Sequence, residues 1–216
     1  MPRLFPTLLL KRLTLWVNSG VDFIVASNNK GKIREIKEML KDSDFEVKSM
    51  SEAGIDADIP ETGVTFEENA TLKARYVSQR VRGAVVMADD SGLCVDALGG
   101  APGVYSARYG GPGISGAARN QMLLDAIGDR VGEERTARFI CVIAVIFPTG
   151  KSFTAQGVCE GKIALQAAGD NGFGYDPVFF LPQYNKTMAQ LDIQLKNRIS
   201  HRAKAVKLMR AKLMSR

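Results

Sequence analysis

DFIVASNNKGKIREIKEML, residues 22–40, changes its periodicity once, and that change decides the fold. Phe23, Ile24 and Val25 form a short continuous apolar run, as a strand buried on both faces requires. After Ala26 the apolar residues Ile33, Ile36 and Leu40 recur at helical spacing, with Arg34, Glu35, Lys37 and Glu38 between them. The polar loop Ser27–Lys32 therefore joins a strand end to a helix start. Further along, Thr65 and Glu68 have capping-box spacing before a second helix over about 66–82, which carries Phe66, Ala70, Ala74 and Val77. Ala84–Ala88 reads as another buried strand that ends at Asp89-Asp90-Ser91-Gly92. The stretch Gly99–Gly116 is too rich in Gly and Pro for regular structure. A helix near 115–127 follows, then strands over 137–147 and 152–159 joined by the hairpin turn Pro148-Thr149-Gly150-Lys151. Gly169–Pro177 is loop, Val178–Phe180 a short strand, and a final helix spans about 197–213. Early alternation of strand and helix, with a later antiparallel pair, predicts an α/β fold on a mixed sheet, with a ligand cleft between two lobes.

Composition sets outer limits. The 216 residues are 45% hydrophobic and 24% charged, which supports a core and excludes a disordered chain. Cys94, Cys141 and Cys159 are odd in number and lack CxxC spacing, so a reduced protein without structural zinc is expected. The net charge of +6 suits an anionic partner, either nucleic acid or a phosphorylated metabolite, and equally suits solvated helices. No apolar run approaches the roughly 20 residues of a membrane-spanning helix. Residues 1–21 hold no acid and read as an N-terminal extension; Leu8-Leu9-Leu10, bounded by Pro6 and Lys11, is too short for a secretory signal. The expected domain is 22–216.

Five places carry candidate chemistry. Ser27, Asn28, Asn29, Lys30, Gly31 and Lys32 present donors and positive charge at a helix start, where backbone N–H groups suit phosphate oxygens, although the loop is not a Walker motif. Asp89 and Asp90 project to opposite faces of their strand and so take different tasks, one toward a hard cation or a water, the other bracing the loop. Gly92 would supply a positive φ if the acids merely cap a turn. Glu61 sits in a loop able to join Asp90 at a metal, and Lys73 on the following helix is within reach of phosphate. In Gly172-Phe173-Gly174-Tyr175-Asp176-Pro177 the glycines admit a ligand close to the backbone, and an aromatic ring offers a stacking face. Finally, Lys196-Asn197-Arg198-Ile199-Ser200-His201-Arg202 opens the last helix, with Ser200 as its cap and the only histidine beside it. No GxSxG elbow exists for a Ser-His-Asp hydrolase.

Taken together, SNNKGK (27–32), ETGVTFEENATLKAR (61–75), ADDSGLCVDALGGAPGVYSARYGG (88–111), NGFGYDPVFF (171–180) and SHRAKA (200–205) resemble, in order, the inosine triphosphate pyrophosphatase family. The resemblance covers about residues 22–213. It implies an elongated two-lobed α/β fold with a central substrate cleft, commonly a homodimer, that hydrolyses ITP, dITP and XTP to the monophosphate and pyrophosphate with Mg2+. It further implies that Ser27, Asn29 and Lys32 hold the triphosphate with help from Lys73, that Asp90 is general base and metal-associated, and that Glu61 is a second metal contact. Ser91 would touch substrate, Phe173 would stack on the base, and Gly174, Tyr175, Asp176, Lys196, His201 and Arg202 would frame it, preferring a 6-oxo purine. Purine nucleoside triphosphates are then the partners, with no stable nucleic-acid or membrane binding, in the cytoplasm. Two stretches depart from the family pattern: 191–195 and 165–168 are poorer in acids. The alternatives are a nucleotide-binding regulator without turnover, a nucleic-acid-binding protein, and a triphosphate pyrophosphatase for other modified bases.

Overall fold

The computed structural model of the chain describes residues 22–43 and 45–215, so the extension over 1–21 lies outside the described residues. One mixed sheet organises everything else. Its strands are β1 (Asp22–Val25), β2 (Glu46–Ser49), β3 (Val85–Val95), β4 (Thr136–Ile146), β5 (Ser152–Ile163), β6 (Phe179–Leu181) and β7 (Lys186–Thr187), in the order β2-β1-β3-β4-β5-β6-β7. β1 runs parallel to β2 and β3, and every pairing from β3 onward is antiparallel. The helices are α1 (Lys30–Leu40), α2 (Phe66–Ser78), α3 (Gly116–Ile127), α4 (Ile193–Ile199) and α5 (His201–Met214).

Alternation along β1 and β3 sorts the core. Phe23, Val25, Val85 and Met87 face α1 and α5, where Ile36, Leu40, Val206 and Met209 cover them. Ile24, Val86 and Ala88 face the other way, onto Ala70, Ala74 and Val77 of α2. Further along the same long strands a third cluster forms, with Leu93, Val95, Phe139 and Ile163 packed on Leu123 and Ile127 of α3 and on Phe179.

The sequence placed Asp89–Gly92 at the end of a strand, and the structure corrects this. β3 continues unbroken through both acids to Val95, because β4 pairs with it from Val86 to Val95, with Asp89 opposite Ile143 and Asp90 opposite Val142. β1, however, pairs only with Val85–Met87. From Asp89 to Gly92 no strand covers that edge of β3 among the described residues. Beyond it, Ser106 Oγ accepts from Leu93 N at 2.8 Å and Ala101 O accepts from Val95 N at 3.1 Å, so the Gly/Pro-rich stretch closes the edge again. The uncovered step lies beside the Ser27–Asn29 loop and the first turn of α1, which begins at Lys30, inside the stretch expected as loop, because Asn29 caps it there.

Other boundaries shift for local reasons. The single C-terminal helix is two helices, broken at Ser200, whose extended backbone (φ −64°, ψ 160°) ends α4 and caps α5 by accepting from Ala203 N at 3.2 Å. α2 stops at Ser78, four residues earlier than expected, and β5 runs on to Ile163 to meet β6. Only half of the capping box forms: Thr65 Oγ1 accepts from Glu68 N, while Glu68 accepts from Val64 N rather than from Thr65. Gly92 does not adopt a positive φ. Its glycine is required by crowding, since a Cβ there would meet the Gly103 carbonyl, Ser106 Oγ at 2.5 Å and Phe66 at 2.9 Å. Gly92→Ala should therefore destabilise the fold by about 1–3 kcal/mol, the usual cost of forced overpacking. Denaturant unfolding checks this, and an unchanged midpoint would show that the 103–106 segment yields freely.

Candidate active site

The N-terminus of α1 presents donors and a positive helix end. Asn29 caps the helix, its Oδ1 accepting from Lys32 N at 3.1 Å, and Ser27 Oγ accepts from Asn29 N at 3.2 Å. No acidic residue occupies the first turn, so the positive end of the helix is left unneutralised. Asn28 is tied down by donating its Nδ2 to Ala57 O at 2.8 Å.

The two adjacent aspartates divide as strand geometry demands. Asp89 turns toward α1 and α5: its Oδ2 lies 3.1 Å from Lys32 Nζ and 3.2 Å from Arg202 Nη2. Burial opposes its charge, but Lys32 and Arg202 prevail and hold its carboxyl well below the usual range. Asp90 turns toward α2, where Lys73 Nζ lies 2.9 Å from its Oδ1 and 2.5 Å from Glu61 Oε1. Burial raises the Asp90 carboxyl, with Lys73 and Lys32 pulling the other way. Glu61 is also partly desolvated, yet Lys73, Lys32 and Arg108 together lower it. Asp90 Oδ2, like Asp89 Oδ1, is buried with no hydrogen-bond partner among the described residues.

Beyond Asp89 a chain of buried ion pairs leads to the aromatic end of the site. Arg202 Nη1 lies 2.6 Å from Glu35 Oε2, Glu35 Oε1 lies 2.7 Å from Lys196 Nζ, and Lys196 Nζ lies 2.5 Å from Asp176 Oδ2. The same Asp176 oxygen accepts from Phe173 N at 2.8 Å, which fixes the Gly172–Asp176 turn. Phe173 lies over Gly31, where a Cβ would touch its ring at 2.8 Å, and Lys196 and Arg202 stand 4.9 and 5.6 Å from the ring centroid. His201 stacks on Phe139 with centroids 4.6 Å apart, and its Nδ1 is buried without a partner among the described residues. Burial first, then the charges of Arg202 and Lys196, push the imidazole well below its ordinary value, so it is neutral. Tyr175 spends its hydroxyl on Ser106 O at 3.0 Å.

All of this opens on one cleft of about 610 Å3, lined by Ser27, Asn28, Asn29, Lys32, Glu61, Lys73, Asp90, Ser91, Phe173, Gly174, Tyr175, Asp176, Lys196, His201 and Arg202. Of the residues expected to contact substrate or metal, Lys30 and Gly31 do not line it: Lys30 faces a separate groove with Arg34 and Lys37, and Gly31 serves as the floor for Phe173. Sequence reasoning overlooked Glu35, Phe139 and Arg108, and read Asp89 as bracing a loop when it braces a cationic pair. Glu35 looked like one more charge on an amphipathic helix, because the cations it meets, Lys196 and Arg202, lie far along the chain.

Comparison with known proteins bears on what this cleft does. The model of the Ham1 family matches residues 23–212. The chain belongs to the Ham1 family. A Ham1 relative from Clostridium perfringens (strain 13 / Type A), named dITP/XTP pyrophosphatase, is 46% identical over 196 residues, covering 88% of this chain and 96% of its own length. The solved structure of the Staphylococcus aureus Ham1 protein superposes with a TM-score of 0.80 at 44% identity, over 90% of this chain and 98% of that one. A Ham1 protein from Coxiella burnetii gives 0.82 at 40% identity, over 91% and 100%.

Two outcomes follow for the buried charges of this Ham1 protein. Glu35→Ala leaves Lys196 and Arg202 short of a counter-charge inside the protein and should cost about 3–5 kcal/mol, measured by denaturant unfolding; a loss below 1 kcal/mol would mean water already screens the pair. The single histidine should show no NMR titration near its ordinary value of about 6.5. Because the unfolded chain takes up a proton there that the fold refuses, the contribution of His201 to stability is complete above that pH and falls below it. A midpoint near 6.5 in the folded protein would contradict the neutral, buried ring.

Proposed function

We propose that this chain hydrolyses aberrant purine nucleoside triphosphates (ITP, dITP and XTP) to the nucleoside monophosphate and pyrophosphate, a reading supported by relatives named dITP/XTP pyrophosphatase. The observation that carries the reading is the meeting, in one cleft, of an unneutralised helix N-terminus, a carboxylate pair around Lys73 and an aromatic pocket rimmed by donors.

Ser27, Asn29 and Lys32 hold the triphosphate against the start of α1, and Lys73 neutralises non-bridging oxygens near the reacting phosphorus. Asp90 orients the attacking water and takes its proton, a role that suits its partnerless Oδ2. Glu61 and Asp90 would hold Mg2+. Among the described residues no three His, Cys, Asp or Glu side chains gather as a metal cage. Two carboxylates completed by phosphate oxygens and waters is the arrangement Mg2+ favours, so the residues present fit it. When bound, the metal supplies charge neutralisation at the phosphates. Cleavage between the α- and β-phosphorus then needs no covalent enzyme intermediate.

Selectivity follows from donor chemistry. The base lies on Phe173, and Lys196 and Arg202 offer only donors toward its edge. A 6-oxo group accepts from them, whereas the 6-amino group of adenine sets donor against donor. Ser91, Gly174, Tyr175, Asp176 and His201 complete the pocket's shape. The cations of the cleft are held mostly by internal carboxylates, so stable nucleic-acid binding is not part of this reading. A cytoplasmic homodimer is. No helix among the described residues is long and apolar enough to cross a membrane.

Asp90→Asn should lower turnover of ITP by about 10²–10⁴-fold, the range for a lost general base, while circular dichroism remains that of the parent. Chelation of divalent metal should abolish pyrophosphate release from the parent. Near-normal turnover in the variant would remove Asp90 from the role of base, and release of orthophosphate in place of pyrophosphate would overturn the proposed bond.

A further inference from the structure

Among the described residues, six cationic side chains line the cleft: Lys32, Lys73, Arg108, Arg119, Lys196 and Arg202. Lys32, Lys73, Lys196 and Arg202 each have a carboxylate oxygen within 3.2 Å. Arg119 gives Nε to Tyr109 O and Nη2 to Ile114 O. Arg108 differs. Its Nη1 is 3.4 Å from Glu61 O and 3.8 Å from Glu61 Oε2, too far for a charged hydrogen bond of full strength, and its Nε and Nη2 have no partner among the described residues. The guanidinium stands 5.6 Å from the Tyr105 ring, and its side chain is 46% exposed.

Position gives this free fork a task. Asp90, Lys73, Glu61 and Arg108 form a chain of successive charge contacts in which side-chain exposure rises outward from 6% to 9%, 24% and 46%. A triphosphate whose α-phosphorus meets the water at Asp90 extends its β- and γ-phosphates outward along those contacts. The buried cations there are already matched by Asp89, Asp90 and Glu61, so they add little net charge for a pyrophosphate that gains negative charge as it leaves. Arginine presents five donors in a planar fork matched to phosphate oxygens.

We propose that Arg108 is the pyrophosphate-binding residue of this cleft: it turns from Glu61 onto the β- and γ-phosphates and holds the leaving group until release. This rests on the hydrolytic reading above. The base and the α-phosphate lie at the other end of the site, so the nucleoside monophosphate does not use it.

The test is calorimetric titration of the full chain with magnesium pyrophosphate and, separately, with IMP, in the parent, Arg108→Ala and Arg108→Lys, alongside ITP hydrolysis by the same preparations. Arg108→Ala should weaken pyrophosphate binding at least about tenfold, as expected for lost charge-assisted hydrogen bonds, and leave IMP binding unchanged. Arg108→Lys should recover part of the loss, keeping the charge without the fork. Unchanged pyrophosphate affinity in Arg108→Ala, or equal weakening of pyrophosphate and IMP, would overturn the subsite. A parent that binds pyrophosphate through Arg108 yet releases none from ITP would keep the subsite and remove the hydrolysis; a parent that hydrolyses ITP while Arg108→Ala binds pyrophosphate normally would do the reverse.

Discussion

The structure depends on a buried cation. Arg202, 1% exposed, lies between Glu35 of α1 and Asp89 of β3, and itself opens α5. A guanidinium in such a place is tolerable only when its charge is met by carboxylates in good geometry, so the three elements are bound to one mutual arrangement. Lys32 joins the pair from α1 and Lys196 extends it from α4 to Asp176. The N-terminal end of α1, the strand that carries Asp90 and the turn that carries Phe173 are thereby set in register by one charged network. Such a network adds little to stability compared with apolar packing; its value here is positional.

The open edge of β3 turns that register into a site. Apolar residues cover the strand on both faces up to Ala88 and again from Leu93. Between them, polar side chains occupy Asp89, Asp90 and Ser91 where β1 has ended and the Ser106 segment has not begun. A cleft therefore forms at a gap in the sheet's hydrogen bonding, and donors and charges from α1, α2 and α5 converge on it. Opposite projection of Asp89 and Asp90 divides the work: one aspartate holds the cationic framework of Lys32 and Arg202, and the other pairs with Lys73 beside Glu61.

Much of this was legible in the sequence, and the limits were physical. The change of period at Ala26 gave β1 and α1, although α1 begins at Lys30, inside the stretch read as loop, and the adjacent acids were read as facing opposite ways because strand geometry leaves no choice. What failed was whatever depended on partners far along the chain. The extension of β3 through two aspartates is set by pairing with β4 some fifty residues away, and local composition argued for a turn. Gly92 signalled a turn locally, while its cause is the Gly103 carbonyl lying across it. Glu35 carries no local mark of burial, because the two cations that justify it arrive from residues 196 and 202. Ser200, by contrast, was visible as a cap, though not as a break between two helices.

The central claim is that a donor-rimmed, aromatic pocket and a carboxylate-metal centre act on one nucleotide. Pyrophosphate release from ITP, dITP, XTP, GTP, ATP and CTP, with and without magnesium, tests it most directly. The account predicts metal-dependent release from ITP, dITP and XTP, with ATP and CTP nearly inert. Equal turnover of ATP, or no release from any of the six, would contradict it.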